Sequence, residues 1–317
     1  MFDPRAYWGR YEDIRIQKPI FFLGVQCSGL TLVSRMLRRH PAVVSVTGNR
    51  KYWSGADEMH TVLGPILPAE LAGTRYKVPF ADHPVYTPPR SWTYACDELL
   101  PYYRKSSEDA NPAMSQKFKR VLRMLMARHA LDKSEVRFTD KSQVYTVRVP
   151  MITALLRGHD PKFILIVMNP YSLCYKAAMG KAADMKRLQN RLSFEKRLEV
   201  CAQHWSNSMQ CALDHRATGM KIVRFEDLLR DPACMMREIC EFVELSFDED
   251  LLPQPHHRIP LGSRFLDRWY PLEPERDRGY LEQIRKSELD ILESRCGKLA
   301  EELGYGTNLD TEQGFCD

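Results

Sequence analysis

Residues 20–24, Ile-Phe-Phe-Leu-Gly, place four apolar residues in series ahead of a glycine, and Ser28-Gly29-Leu30-Thr31 follows at once. An unbroken apolar run of this length fits an inner strand of a parallel sheet, buried on both faces. Beyond it, Leu32, Val33, Met36 and Leu37 recur at helical spacing. Strand, tight loop and amphipathic helix in that order put a loop against a helix N-terminus. Unpaired amides and the positive end of the helix dipole favour an anion there, and the Ser28 and Thr31 hydroxyls are candidate further donors. Many α/β chains use the same arrangement only to turn the backbone, so other segments must decide its meaning.

Further strands are expected over residues 43–46, 136–139, 163–168 and 221–224, each flanked by helical segments. This alternation predicts an α/β, P-loop-like, three-layer fold with a central, mainly parallel sheet between helices. Helices are expected over residues 114–131, 188–215 and 281–303, and Asp231-Pro232 reads as a capped helix start. At 317 residues the chain is long enough for one substantial core. We expect a single domain over 1–317, with a proline-interrupted, aromatic-rich insertion at 52–110 and a flexible tail at 305–317. His204, beside Trp205 on the second of these helices, reads as a packed residue rather than a ligand.

A net charge of +5 suits a polyanionic small molecule and is too small to argue for nucleic acid. Arg35, Arg38 and Arg39 cluster on the first helix, where a solvated face is the expected reading. The nine cysteines show neither a Cys-x-x-Cys pair nor zinc spacing, so no metal is expected and the thiols are expected reduced. No signal segment and no uncharged apolar run of about 18 residues is evident, which leads us to expect a cytoplasmic protein without a membrane span.

Four segments then align in order: the Ser28-Gly29 loop closing with His40-Pro41, Asp140-Lys141-Ser142, a strand ending at Asn169-Pro170, and Phe225-Glu226-Asp227-Leu228. With Arg278-Gly279-Tyr280 near the C-terminus, the chain resembles sulfotransferases that use 3′-phosphoadenosine 5′-phosphosulfate (PAPS), most closely the bacterial type, for which Arg268-Trp269-Tyr270-Pro271-Leu272 also speaks. The resemblance runs from about Pro19 to Tyr305. It implies sulfuryl transfer from PAPS to a hydroxyl of a small acceptor. It also implies donor contacts from Cys27, Ser28, Gly29, Leu30, Thr31, Leu32, Asn169, Lys176 and Arg278, and contact of Lys141 with the transferring group.

Several positions depart from the family pattern. Cys27 stands where a lysine or arginine precedes Ser-Gly, and Leu30 replaces a threonine. Met168 and Lys176 replace the arginine and serine that meet the 3′-phosphate. Gln143 lies near the position of a catalytic histidine, and Gly48 near that of a glutamate base. Arg50 and Lys51 are candidate substitute cations. For the base, Asp57, Glu58 and His60 form the richest local group, ranked Glu58 first and His60 second, with His83 behind them. Glu226 and Asp227 are expected to tether structure beside the nucleotide.

Three readings stay open: a sulfotransferase with a rearranged phosphate clamp, an enzyme of this fold that has lost PAPS and does other chemistry, and a non-catalytic binding or regulatory relative. Retention of Ser28-Gly29, Lys141 and Arg278 favours the first over the third, whereas Cys27 with Met168 favours the second or third.

Overall fold

The computed structural model describes residues 7–47, 57–72, 84–86, 93–130, 135–216, 219–253, 272–275 and 277–306. Gly48, Arg50, Lys51, His83, residues 268–271 and the tail beyond residue 306 lie outside these.

Strands β1 (Ile20–Leu23), β2 (Val43–Val44), β3 (Arg137–Asp140), β4 (Lys162–Val167) and β5 (Met220–Arg224) form one sheet in the order β2-β3-β1-β4-β5, and each pairing is parallel. β1 is the middle strand and all four of its residues are buried, as its unbroken apolar run requires. Helices flank the sheet: α1 (Leu30–Leu37), α2 (Met59–Val62), α3 (Leu100–Tyr103), α4 (Pro112–His129), α5 (Val149–Leu155), α6 (Pro170–Lys176), α7 (Ala183–Leu188), α8 (Phe194–Leu213), α9 (Phe225–Arg230), α10 (Pro232–Phe242), α11 (Arg278–Leu281) and α12 (Lys286–Glu302). This is the α/β architecture expected. Phe21 anchors the layers, stacking on Phe163 of β4 at 5.8 Å and meeting Phe118 of α4 at 6.4 Å.

Two expected helices begin later than expected. The helix expected over residues 188–215 is α8, which starts only at Phe194 because Ser193 caps a fresh start, its hydroxyl accepting from the Lys196 amide at 3.2 Å; Leu188 instead ends α7. The helix expected over residues 281–303 is α12, which starts at Lys286 where the Arg285 amide donates to Glu288 at 2.8 Å; Leu281 instead ends α11. The Asp231-Pro232 start is as read: Asp231 accepts from the Cys234 amide at 2.9 Å, with Pro232 in the first turn.

The strand order positions a site. The chain leaves β1 toward β2 and leaves β4 toward β5, so the connections diverge at the carboxyl ends of these neighbouring strands. In an open parallel sheet such a divergence opens the crevice where ligands bind. The Ser28-Gly29 loop and Asn169 border it.

In the aromatic insertion, Tyr94 and Tyr103 are fully buried and Tyr86 nearly so, packed into the core rather than lining an open wall. Among the described residues no helix is long and apolar enough to cross a membrane.

Candidate active site

The loop after β1 is shaped by its backbone. Gly24 (φ 147°) has no room for a side chain: a Cβ would lie 2.9 Å from the Ile166 carbonyl. Gly29, at the N-cap of α1, adopts the left-handed φ of 82°, and a Cβ there would lie 2.1 Å from the Phe225 ring. The amides of Leu32 and Val33 donate back to the Gly29 carbonyl at 2.8 and 3.2 Å. Those of Leu30 and Thr31, at the start of the helix, have no carbonyl one turn earlier inside it. These amides are the ones that the anion site expected from the sequence would use. Leu30 is buried, whereas Thr31 and Leu32 are half-buried.

Ser28 plays a different part from the one expected. Its hydroxyl donates to the Val25 carbonyl at 2.7 Å, so its single proton closes the loop instead of pointing to an anion. Cys27 is half-buried with φ 66°, a conformation that L side chains adopt rarely. Burial pushes its thiol up despite the neighbouring Lys176 charge, so Cys27 is a thiol rather than a thiolate.

The segment after β3 is stapled to this loop. The Thr146 hydroxyl accepts from the Gly24 amide at 2.8 Å and donates to the Gly24 carbonyl at 3.1 Å. Lys141 leaves the carboxyl end of β3, which pairs with β1 through Ile20–Thr139 and Phe21–Asp140. Its ammonium lies 2.9 Å from Asp57 Oδ1 and 3.5 Å from Glu58 Oε1, and all three residues are buried. Asp140 secures the opposing chain: its carboxylate accepts from the Met59 and Ser142 amides, both at 2.8 Å. Thus the end of β3 fixes the start of α2, and Glu58 and His60 with it. His60 Nε2 lies 3.7 Å from Glu58 Oε2 and 3.1 Å from the Thr61 hydroxyl.

Two arginines complete the cluster. Arg35, Arg38 and Arg39 are 1%, 2% and 8% exposed, which overturns the solvated-face reading. Arg35 donates to Asp57 Oδ2 through Nε and Nη2 at 3.3 Å, and Arg38 through Nη1 at 3.1 Å. Arg38 also reaches the Thr47 hydroxyl at 2.8 Å. Arg35 is buried within α1 and Arg38 caps its end, but their common partner Asp57 is visible only once the chain is folded.

These contacts separate the adjacent carboxylates. Burial would raise Asp57, but Lys141, Arg35 and Arg38 outweigh it and hold the group below its ordinary range. Burial raises Glu58 against the pull of Lys141. Burial also raises Asp140, against its bonds to Ser142 and Met59. Lys141 itself is raised, because Glu58 and Asp57 outweigh the cost of burying its charge. A firmly ionised Asp57 beside a more basic Glu58 is a division suited to acid–base work.

On the β4 side, Asn169 caps α6, its Oδ1 accepting from the Tyr171 amide at 2.9 Å, while its own amide donates to Glu226 at 2.8 Å. The Tyr305 hydroxyl donates to the other Glu226 oxygen at 2.8 Å, so Glu226 does tether the end of β4. Met168 is buried and apolar. Lys176, expected to turn toward a phosphate, is 2.8 Å from Asp277. Arg278 is half exposed and sits 3.5 Å from both Glu275 and Glu282. The expected donor contacts of Lys176 and Arg278 are therefore both engaged with carboxylates of the chain itself.

Solved structures share this fold. A sulfotransferase domain from the Synechococcus PCC 7002 olefin synthase superposes with a TM-score of 0.53 at 22% identity, covering 94% of this chain and 98% of that one. The sulfotransferase domain from the curacin biosynthetic pathway gives 0.51 at 18%, covering 92% and 99%. A sulfotransferase from Mycobacterium avium gives 0.54 at 15%, covering 93% and 79%. No curated protein matches the chain. Residues 19–249, from the start of the loop-bearing strand past the Glu226 tether, match the model of the sulfotransferase family, and the chain belongs to that family.

Proposed function

We propose that the protein transfers a sulfuryl group from PAPS to a hydroxyl of a small metabolite. The observation that carries this reading is the buried pair of Lys141 and Glu58, 3.5 Å apart, where the end of β3, the strand paired with β1, meets the start of α2. PAPS, when bound, supplies a sulfuryl group already joined to a phosphate leaving group. The residues present suit the 5′ end of such a donor: the amides at the start of α1 and its positive dipole end favour the phosphate, and Gly29 lets the loop turn into the helix against the Phe225 ring.

Glu58, made more basic by burial, accepts the proton of the acceptor hydroxyl as the new oxygen–sulfur bond forms. The bond between sulfur and the bridging oxygen breaks, and its electron pair stays on the phosphate. Lys141 and the loop amides meet the charge that grows there, a contribution of about 10²–10³ in rate for one aligned donor. His60 borders Glu58 and orients it or supplies a second proton acceptor. Asp57, Glu58 and His60 belong to the 52–110 insertion, which supports its role as the acceptor side of the cleft. Two of the structural neighbours come from an olefin synthase and the curacin biosynthetic pathway, in keeping with a metabolite acceptor.

One observation favours the second reading, a family member that no longer uses PAPS: Met168 is apolar and Lys176 is committed to Asp277, so among the described residues neither of the positions expected to meet a 3′-phosphate offers it an uncommitted cation. Calorimetric titration with 3′-phosphoadenosine 5′-phosphate, together with transfer from radiolabelled PAPS to a panel of phenols and alcohols, separates the two. Binding and a labelled product are expected. No heat at millimolar nucleotide would overturn PAPS use.

A further inference from the structure

Lys141 and Glu58 carry opposite charge at active pH and sit close enough to pair with each other. A one-to-one pair would quench both, because the ammonium would be spent on the base and the base would lose its basicity. Asp57 intervenes. Its Oδ1 takes the Lys141 ammonium at 2.9 Å, closer than Glu58 at 3.5 Å, and its Oδ2 is fixed by Arg35 of α1 and by Arg38 at that helix's C-terminal end. The carboxylate is 3% exposed and bonded from two elements, so it has little freedom to follow the lysine.

We propose that Asp57 is the positioning residue of the site: anchored by Arg35 and Arg38, it holds the Lys141 ammonium off Glu58 so that the cation and the base act separately. This rests on the roles given to Lys141 and Glu58 above. The charged and titratable groups facing Glu58 are Asp57 and His60 from its own segment, Asp140 and Lys141 from the end of β3, and Tyr94. Of these, Lys141 is the cation whose position Asp57 controls.

The test is an infrared titration of the Glu58 carboxyl, whose protonated C=O band is assigned by its loss in Glu58→Gln. It is run in wild type, Asp57→Asn, Lys141→Met and the double variant. Asp57→Asn is expected to release Lys141 onto Glu58 and lower the Glu58 midpoint by about one pH unit or more. In the Lys141→Met background the same substitution is expected to move it by less than half as much. Equal shifts in the two backgrounds would show that Asp57 acts through its own charge or through folding alone, and would overturn the proposal. Should Asp57→Asn fail to fold, Asp57→Asn with Arg38→Met removes one of the cations that the carboxylate balances, and the comparison is repeated on it. The titration needs neither donor nor acceptor, so a failed transfer assay and a failed positioning role give distinguishable results.

Discussion

The Phe225 ring lies where the side chain of Gly29 would be: a Cβ on that glycine would sit 2.1 Å from it. Phe225 opens α9, and the next residue, Glu226, takes the Asn169 amide. One helical turn therefore sets both walls of the crevice, the loop after β1 and the end of β4. The segment after β3 supplies a third tie, through Thr146 and Gly24. The loop after β1 is held from both sides, the kind of preorganisation that electrostatic catalysis requires.

Gly29→Ala tests that arrangement against a control. At Gly158 the backbone φ is also left-handed, at 84°, but nothing lies within 4 Å of a Cβ there. Gly158→Ala is expected to cost only the backbone strain, about 1–2 kcal/mol. Gly29→Ala adds the collision with Phe225 and is expected to lower stability further and to abolish nucleotide binding. Urea denaturation and calorimetry measure the two effects; equal stability losses would mean that the Phe225 contact relaxes freely.

Much of this fold is legible because its elements are local. The apolar run of residues 20–23, the glycines after it and the Asp231-Pro232 start each carry their structural consequence within a few residues. The charge network is not local. Arg35 and Arg38 look like a solvated pair until Asp57, brought from beyond β2, lies between them and Lys141. Lys176 looks free to meet a phosphate until Asp277, 101 residues later, folds against it. The place of Ser28 in the loop is legible, whereas the direction of its hydroxyl depends on where the Val25 carbonyl falls in a turn with two left-handed residues, Cys27 and Gly29.

Cys27 combines strained backbone with a raised thiol pKa. Cys27→Gly is expected to stabilise the fold by about 1 kcal/mol, since glycine adopts this φ without a Cβ penalty. Iodoacetamide labelling of Cys27 is expected to be slow and unselective near neutral pH. If the site uses PAPS, Cys27→Lys places a cation beside Ser28 and raises the transfer rate. Rapid, selective alkylation of Cys27, followed by mass spectrometry, would instead reveal a nucleophile.

Asp277 competes with any anion for Lys176, at 2.8 Å with both side chains 14% exposed. Asp277→Asn is expected to tighten binding of 3′-phosphoadenosine 5′-phosphate by up to about 1 kcal/mol, roughly fivefold, the upper range for a partly solvated ion pair. Lys176→Met is expected to weaken it. Calorimetric affinities that are the same in both variants would place the nucleotide elsewhere and strengthen the reading in which a 3′-phosphate is not recognised.

His204 gives the fold a pH limit on its acid side. It is fully buried on α8, its Nδ1 accepts from the Ala95 amide at 3.2 Å, and its ring meets Tyr94 edge-on at 4.7 Å. Protonating Nδ1 would turn an acceptor into a donor facing an N–H group, in a site without solvent. Burial accordingly depresses its pKa from 6.5 to about 3. A group depressed on folding contributes stability that is present above its unfolded value and is lost as pH falls toward the folded one. Here the window runs from about 6.5 down to about 3, and about 2 kcal/mol should be lost between pH 7 and pH 5. Glu58 and Asp140, raised by burial, push the opposite way over part of this range, so the wild-type slope alone is not diagnostic. Comparison with His204→Gln isolates the term, because glutamine can accept the Ala95 bond but does not titrate. Urea midpoints at pH 7 and pH 5 are expected to fall more for wild type than for the variant; an identical fall would assign the acid sensitivity to other groups.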